Sequence, residues 1–217
     1  MSLPTLDPIE LRVVGAMIEK SLATPDSYPL TLNSLRSACN QSSSRDPVMD
    51  LSERDVSQAL DRLRRRRLVG TASGAGHRVA KFRHALAEAM DLSRRELAVL
   101  AVLVLRGPQT AGEIRSRVGR MCDLANVAEA EEVLWMLGER ESPLVAQLPR
   151  EPGRSADRFA HTLAGDVAPT SQASEDAAPD EEPPPLTLAE RVAGLEQQVA
   201  GLRAELTGLR ERLGDSG

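Results

Sequence analysis

Residues 52–83 read SERDVSQALDRLRRRRLVGTASGAGHRVAKFR. Ser52 followed by Asp55 is a helix N-terminal signal, because each side chain can accept a hydrogen bond from the backbone N–H of the other. Apolar residues then recur at helical spacing at four positions: Val56, Ala59, Leu60 and Leu63. Two short runs, 68–71 and 77–83, surround the glycine-rich turn 74–76 and indicate a β-hairpin. The stretch therefore predicts a helix that leads into a hairpin.

Two further helices are predicted before this stretch. One begins at Asp7-Pro8, where aspartate can cap the helix and proline suits its first turn, and the other spans about residues 31–39. Three helices that close with a hairpin make the winged helix-turn-helix plan. We therefore expect a first winged-helix domain over residues 1–90.

The same order of elements is predicted a second time. Cap signals at Ser93, Thr110 and Asn126 each precede an apolar stripe, and runs 144–148 and 157–163 predict another hairpin. This gives a second winged-helix domain over residues 91–163. The expected fold is mainly α with small β-hairpins (α+β), with two tandem winged helix-turn-helix domains.

The remainder of the chain divides into a linker and a helix. Residues 164–187 are rich in Ala, Pro, Ser, Asp and Glu, and so few large apolar side chains cannot offset the entropy of ordering. We expect a disordered linker there. Residues 188–213 carry apolar side chains at alternating spacings of four and three, which predicts a coiled coil that joins two copies, with a folded-back monomeric helix as the alternative. The seam is Leu188, Val192, Leu195, Val199, Leu202, Leu206, Leu209 and Leu213.

Charge is distributed unevenly along the chain. The formal net charge is −5, but residues 1–90 contain 13 Lys and Arg against 10 Asp and Glu. The segment 164–187 contains six acidic residues and no basic one. Because the linker supplies more than the whole negative excess, the pooled charge does not exclude a nucleic-acid partner for the first domain.

Composition limits what else the protein can be. One Trp, one Tyr and two Phe make a large aromatic-lined cofactor pocket improbable, so we expect no cofactor. No apolar run approaches the roughly 20 residues of a membrane span, and the N-terminus lacks a secretory pattern, so we expect a cytoplasmic protein without membrane contact. Cys39 and Cys122 fit no metal-ligand spacing and are expected to be reduced, partly buried thiols.

The stretch TPDSYPLTLNSL at residues 24–35, continued by Ala38-Cys39-Asn40-Gln41 and by RDPVM at 45–49, resembles the YceH-like proteins of bacteria. The resemblance covers nearly all of residues 6–163 and implies tandem winged helices. Family members often carry a lysine after the glutamine, where this chain has Ser42. The residues that carry the motif loop are Thr24, Pro25, Tyr28, Pro29, Asn40, Gln41, Arg45 and Pro47.

Cations gather on the third helix and hairpin of the first domain, which is where a winged helix contacts double-stranded DNA. The candidate nucleic-acid-binding residues are Arg54, Gln58, Arg62, Arg64, Arg65, Arg66, Arg67, Arg78, Lys81 and Arg83. The alternative is that the arginines only favour the helix dipole and solubility. Glu53 and Asp55, at the start of the helix, count against a groove-facing role.

The third helix of the second domain has the opposite charge. Glutamates surround its apolar stripe: Glu129, Glu131, Glu132, Glu139 and Glu141. Such a helix would repel phosphate and suits contact with protein, so a protein partner is expected on this domain. Trp135 and Met136 flank the stripe, and core packing is preferred over a role as interface anchors.

The loop over residues 40–49 can be interpreted as a binding loop or as a structural one. In the structural interpretation, Asn40 and Gln41 bind exposed backbone and Arg45 pairs with Asp46 or Asp50. No catalytic or metal constellation emerges from the three histidines, and no phosphate-binding glycine loop is present. We therefore expect a non-enzymatic protein: a DNA-binding regulator acting through the first domain or, alternatively, a protein-interaction adaptor that uses its winged helices as docking surfaces.

Overall fold

The computed structural model describes residues 5–72, 79–150 and 156–165. All of them belong to one compact unit, Met1–Thr170, and a second unit, Ser171–Gly217, lies outside the described residues. The predicted linker beyond residue 165 and the predicted coiled coil therefore lie outside them too, as do both hairpin turns and Arg78.

The described residues form an α+β fold that repeats one order of elements. The first half, residues 5–90, contains α1 (Pro8–Ala23), a 3-10 turn (Pro25–Ser27), β1 (Leu30–Thr31), α2 (Leu32–Cys39), α3 (Glu53–Arg65), β2 (Val69–Ala72), β3 (Lys81–His84) and α4 (Leu86–Met90). The second half, residues 91–165, contains α5 (Arg94–Arg106), β4 (Gln109–Thr110), α6 (Ala111–Val118), α7 (Val127–Gly138), β5 (Val145–Gln147) and β6 (Arg158–His161). The predicted helices and hairpin strands are confirmed, with boundaries shifted by a few residues.

Each half contains a three-stranded antiparallel sheet, one strand more than the hairpin predicted. The strand orders are β1-β3-β2 and β4-β6-β5. Leu30 pairs with Phe82 in the first sheet, and Gln109 pairs with Phe159 in the second. The extra strands, β1 and β4, have two residues each, too few to show an alternating pattern in the sequence.

Helix starts follow the predicted cap signals. Capping boxes begin α1 at Asp7 and α3 at Ser52. They also begin α5 at Ser93 and α6 at Thr110, while Asn126 caps α7 by accepting from Glu129 N. A capping box satisfies two backbone donors that the helix leaves open, which explains why these starts could be located from sequence.

The core lies between the first helices of the two halves. Every residue of α5 from Glu96 to Leu105 is buried, as is every residue of α1 from Glu10 to Ile18. Gly15 marks the closest approach, because a Cβ built there would lie 2.9 Å from side-chain atoms of both Val104 and Leu105. The two halves therefore share one hydrophobic core.

Polar contacts also join the halves. Asp46 N donates to Leu105 O at 2.8 Å, and Leu6 N donates to Leu163 O at 2.8 Å. Arg94 Nη2 donates to Leu22 O at 3.1 Å. Within the described ranges, no helix is both long enough and apolar enough to cross a membrane.

Candidate nucleic-acid interface

The outward face of α3 holds the centre of the predicted interface. Val56, Ala59, Leu60 and Leu63 are buried, as the apolar stripe predicted. This orientation leaves Arg54, Gln58, Asp61 and Arg65 exposed on the opposite side. Arg54, Gln58 and Arg65 form no hydrogen bond or ion pair with another described side chain, so they are available to an external partner.

Two other arginines of the predicted interface serve the fold instead. Arg62 Nη2 lies 2.7 Å from Asp7 Oδ2, and its Nε lies 3.0 Å from Glu10 Oε1. Arg66 Nη1 donates to Thr5 O at 2.6 Å and lies 3.4 Å from Glu10 Oε2. Arg62, expected to contact nucleic acid, is therefore only partly exposed and already paired with two carboxylates. The physical reason is that Glu10 is only 1% exposed, and a buried carboxylate requires a cation.

The remaining predicted cations differ in availability. Arg64 lies 3.7 Å from Asp61, and Arg83 lies 3.0 Å from Glu88, in exposed pairs that contribute little to stability. Arg67 is exposed and follows Arg66, the C-cap of α3, with a left-handed backbone, φ 59°. Lys81 is half-exposed on β3 and, within the described ranges, forms no ion pair. Among the candidate cations in the described ranges, those without an ion pair are thus Arg54, Arg65, Arg67 and Lys81.

Buried hydrogen bonds hold the loop over residues 40–49 in place. The Arg45 side chain is fully buried, and it donates to Glu19 Oε2 at 2.6 Å, to Gln41 Oε1 at 2.8 Å and twice to Ala38 O. Asn40 binds the backbone of Leu51 through both ends of its amide. The structural interpretation is confirmed for Asn40. It is wrong for Gln41, whose Oε1 accepts from the side chains of Lys20 and Arg45 rather than binding backbone. It is also wrong for Arg45, which pairs with Glu19 and not with Asp46 or Asp50, because α1 brings Glu19 under the loop.

A second buried arginine holds the same loop and was missed by sequence analysis. Arg12 is 2% exposed and donates to Cys39 O at 3.0 Å and to Pro47 O at 2.5 Å. Burial, followed by the charge of Arg45, lowers the pKa of Arg12. Burial opposes ionisation of Glu19, but hydrogen bonds and charge from Arg45 outweigh it and lower the Glu19 pKa. The sequence signal that could have identified Arg12 was its position as a charged residue among the apolar residues of α1.

The other motif residues support the first sheet. Thr24 ends α1, and Pro25 begins the 3-10 turn that follows. Tyr28 is half-buried, and its hydroxyl accepts from His84 N at 2.6 Å; burial raises the pKa of Tyr28 to about 12. Pro29 leads into β1. None of these residues presents a charged group to solvent.

The acidic helix α7 exposes its aromatic residue. Trp135 is 65% exposed and Met136 is 40% exposed, so the preference for core packing at these positions is wrong. The core of the second half is instead filled from α7 by Ala130, Val133, Leu134 and Leu137. Glu129 lies 3.4 Å from Arg95.

Comparison with known proteins places the chain in a family. The family model described as "Protein of unknown function, DUF480" matches residues 6–154. This chain belongs to the DUF480 family. A UPF0502 protein of Geobacter sulfurreducens is 52% identical over 193 residues, covering 88% of this chain and 87% of the relative. A UPF0502 protein of Shewanella amazonensis is 47% identical over 197 residues, covering 88% of this chain and 94% of the relative.

The DUF480 match spans both α3 and α7, and the sequences of the two helices can be aligned without a gap. Their caps, Ser52 and Asn126, and their last buried leucines, Leu63 and Leu137, have the same separation. In this alignment Arg66 corresponds to Arg140. Arg140 lies 3.1 Å from Glu96, the buried glutamate of the α5 capping box, just as Arg66 lies 3.4 Å from Glu10, the buried glutamate of the α1 capping box. The outward residues Arg54, Gln58, Asp61 and Arg65 correspond to Ala128, Glu132, Trp135 and Glu139.

One pair of side chains in this DUF480 chain resembles a catalytic dyad. Ser21 Oγ lies 3.0 Å from His84 Nε2, but the hydroxyl also donates to Ile18 O at 2.8 Å. A hydroxyl has one proton, and with that proton directed at Ile18 O, His84 Nε2 donates to Ser21, which is not the arrangement of a nucleophile and its base. Burial lowers the pKa of His84. No group of three potential metal ligands lies together among the described residues.

Proposed function

We propose that each half of this DUF480 chain is a winged helix, and that the first half is a non-catalytic module that binds double-stranded DNA. Support for the fold comes from the repeated order helix, strand, helix, helix, strand, strand, with a three-stranded antiparallel sheet in each half. In such a module the third helix enters the major groove and the hairpin contacts phosphate.

The observation that carries the DNA proposal is the outward face of α3. Arg54 and Arg65 are exposed and form no ion pair with any residue that the structure describes, and Gln58 lies between them. Lys81 adds a cation from the neighbouring hairpin. Because Glu53 and Asp61 share this helix surface, we expect only about three phosphate contacts, which corresponds to a slope of log affinity against log salt near −3.

The test is fluorescence anisotropy of a labelled mixed-sequence duplex at several salt concentrations. Arg65→Glu should weaken binding about tenfold, since it replaces a phosphate-binding cation with an anion. Arg120→Glu makes the same charge change at an exposed position of the second half and should leave the affinity nearly unchanged. Arg62 is unsuitable for this test because it pairs with Asp7 and Glu10. Equal affinity of wild type and Arg65→Glu would exclude this interface.

A second candidate function is that of a protein adaptor. The exposure of Trp135 favours it, because aromatic side chains open to solvent are enriched among interface anchors. DNA binding by the first half and protein binding by the second are compatible within one chain.

We further propose that the protein is cytoplasmic and that residues 188–213 pair two copies as a coiled coil.

A further inference from the structure

The outward face of α7 concentrates exposed apolar surface. Five large apolar side chains are exposed in the described part of the chain, and three of them, Val127, Trp135 and Met136, lie on this helix. Trp135 is the most exposed of the five at 65%. Scattered apolar residues at a surface need no explanation, but three on one helix face indicate a contact surface.

This face is also acidic. Glu131, Glu132 and Glu139 are exposed on it, and none forms an ion pair with another described residue. Arg95 reaches only Glu129, at the start of the helix. The carboxylates therefore surround the apolar side chains, and no cation in the described part of the chain neutralises them.

The charges decide between possible occupants. A second copy that presented the same face would bring unpaired carboxylates against carboxylates, which costs free energy. Nucleic acid is repelled by the same groups. A partner with Lys or Arg beside an apolar stripe would neutralise Glu131, Glu132 and Glu139, and its cations could stack on the Trp135 ring.

We propose that the α7 face, defined by Val127, Glu131, Glu132, Trp135, Met136 and Glu139, binds an amphipathic basic helix of another protein. The apolar stripe of that helix covers Trp135 and Met136, and its Lys and Arg side chains pair with the three glutamates. Methionine supports this role because its flexible side chain adapts to different partners. The site does not depend on α3, so loss of DNA binding would leave it intact.

The chain provides its own probe for this contact. Trp135 is the single tryptophan, so the emission maximum of the protein reports the environment of the α7 face alone. Two synthetic helical peptides with the same leucine stripe serve as ligands, one with lysine and one with glutamate on the flanks. The lysine peptide should bind saturably and shift the emission to shorter wavelength, whereas the glutamate peptide should do neither.

Charge reversal makes the test specific. The variant Glu131→Lys/Glu132→Lys/Glu139→Lys should reverse the preference between the two peptides. Its affinity for the lysine peptide should fall about tenfold or more, and it should bind the glutamate peptide. Asp50→Lys, an exposed acidic position of the first half, is the control and should keep the wild-type preference. Circular dichroism establishes that the variants fold.

Several results would overturn the proposal. One is failure of the wild-type protein to bind the lysine peptide, and another is unchanged peptide binding by the charge-reversed variant. A third is an emission shift caused by protein concentration alone, because it would show that a second copy covers the α7 face. A shift produced by duplex DNA would overturn it as well. Trp135→Ala, followed by anisotropy of a labelled lysine peptide, should weaken binding about tenfold, and full affinity in that variant would exclude Trp135 as the anchor.

Discussion

Arginines of one helix end have different roles in this molecule because they reach different partners. Arg62 and Arg66 extend to the buried carboxylate of Glu10, whereas Arg65 points to solvent. These two arginines together neutralise the buried carboxylate of Glu10, so we assign Arg62 and Arg66 to stability. Only the arginines without such a partner are candidates for binding.

Two histidines end the central strands of the two sheets and have similar surroundings. His84 pairs with Val69, and His161 pairs with Val145. The Nδ1 atom of each is buried and has no hydrogen-bond partner among the described residues. Burial lowers both pKa values, that of His161 to about 4. Each ring is therefore neutral in the folded protein near pH 7.

The His161 pKa predicts acid sensitivity. An unfolded histidine has a pKa of about 6.5, so below that pH the unfolded chain takes up a proton that the folded protein accepts only near pH 4. Stability is therefore complete above about pH 6.5 and declines toward pH 4, by roughly 2 kcal/mol at pH 5 from this residue. His161→Gln should show a smaller fall of Tm between pH 7 and pH 5 than wild type. Parallel Tm curves for the two proteins would contradict the assignment.

At the scale of elements, α1 and α5 determine how the halves meet. Both helices are buried around most of their circumference, since each covers the other as well as its own half. The apolar run at residues 97–105 of α5 is longer than an amphipathic stripe requires, which is the pattern of a helix buried on all sides. Close packing at Gly15 brings the two helices together.

The close approach at Gly15 can be tested with one methyl group. Ala normally stabilises a helix interior relative to Gly by up to about 1 kcal/mol. Gly15→Ala should instead destabilise the protein by about 1 to 3 kcal/mol, because its Cβ would lie 2.9 Å from Val104 and Leu105 side-chain atoms. Gly112→Ala in α6 is the matched control, with its nearest neighbour at 4.0 Å, and should be neutral or stabilising. Urea denaturation measures both, and equal effects would argue against tight packing.

At the scale of the whole molecule, opposite charges are segregated. The first ninety residues have a basic excess, while the acidic residues gather on α7 and in the segment 164–187. The described part ends with Leu163 buried and Gly165 N bonded to Thr162 O at 3.0 Å, so the first two residues of the predicted linker still belong to the compact unit. One core beneath two surfaces of opposite charge suits a protein with two different partners.

The oligomeric state tests the predicted coiled coil. The seam at residues 188–213 carries Val at two of its four a positions and Leu at every d position, a pattern that favours two strands. Full-length protein should sediment as a dimer at micromolar concentration, and a variant that ends at Gly165 should sediment as a monomer. The shorter variant retains every described residue of the compact unit. Identical masses for the two would exclude the C-terminal segment as the joint.

Sequence alone determined six of the seven helices in the described residues and the strands of both hairpins, with boundaries correct to within a few residues. Caps such as Ser52 with Asp55, and stripes such as Leu60 with Leu63, are contacts between residues three positions apart. Their physics is local, so periodicity and cap signals were sufficient. The same locality explains why the basic α3 and the acidic α7 could be recognised as different surfaces.

Only the tertiary structure decided which side chains of those surfaces are available. Glu10 pairs with Arg62, which is 52 positions away in the sequence, and Glu19 pairs with Arg45, which is 26 positions away. Trp135 is not part of the core of the second half. Neutralising a buried carboxylate and filling a core depend on which distant residues the chain brings together. No local pattern contains that information. Only the packing showed that fewer arginines of α3 are available to DNA, and that α7 carries an exposed tryptophan.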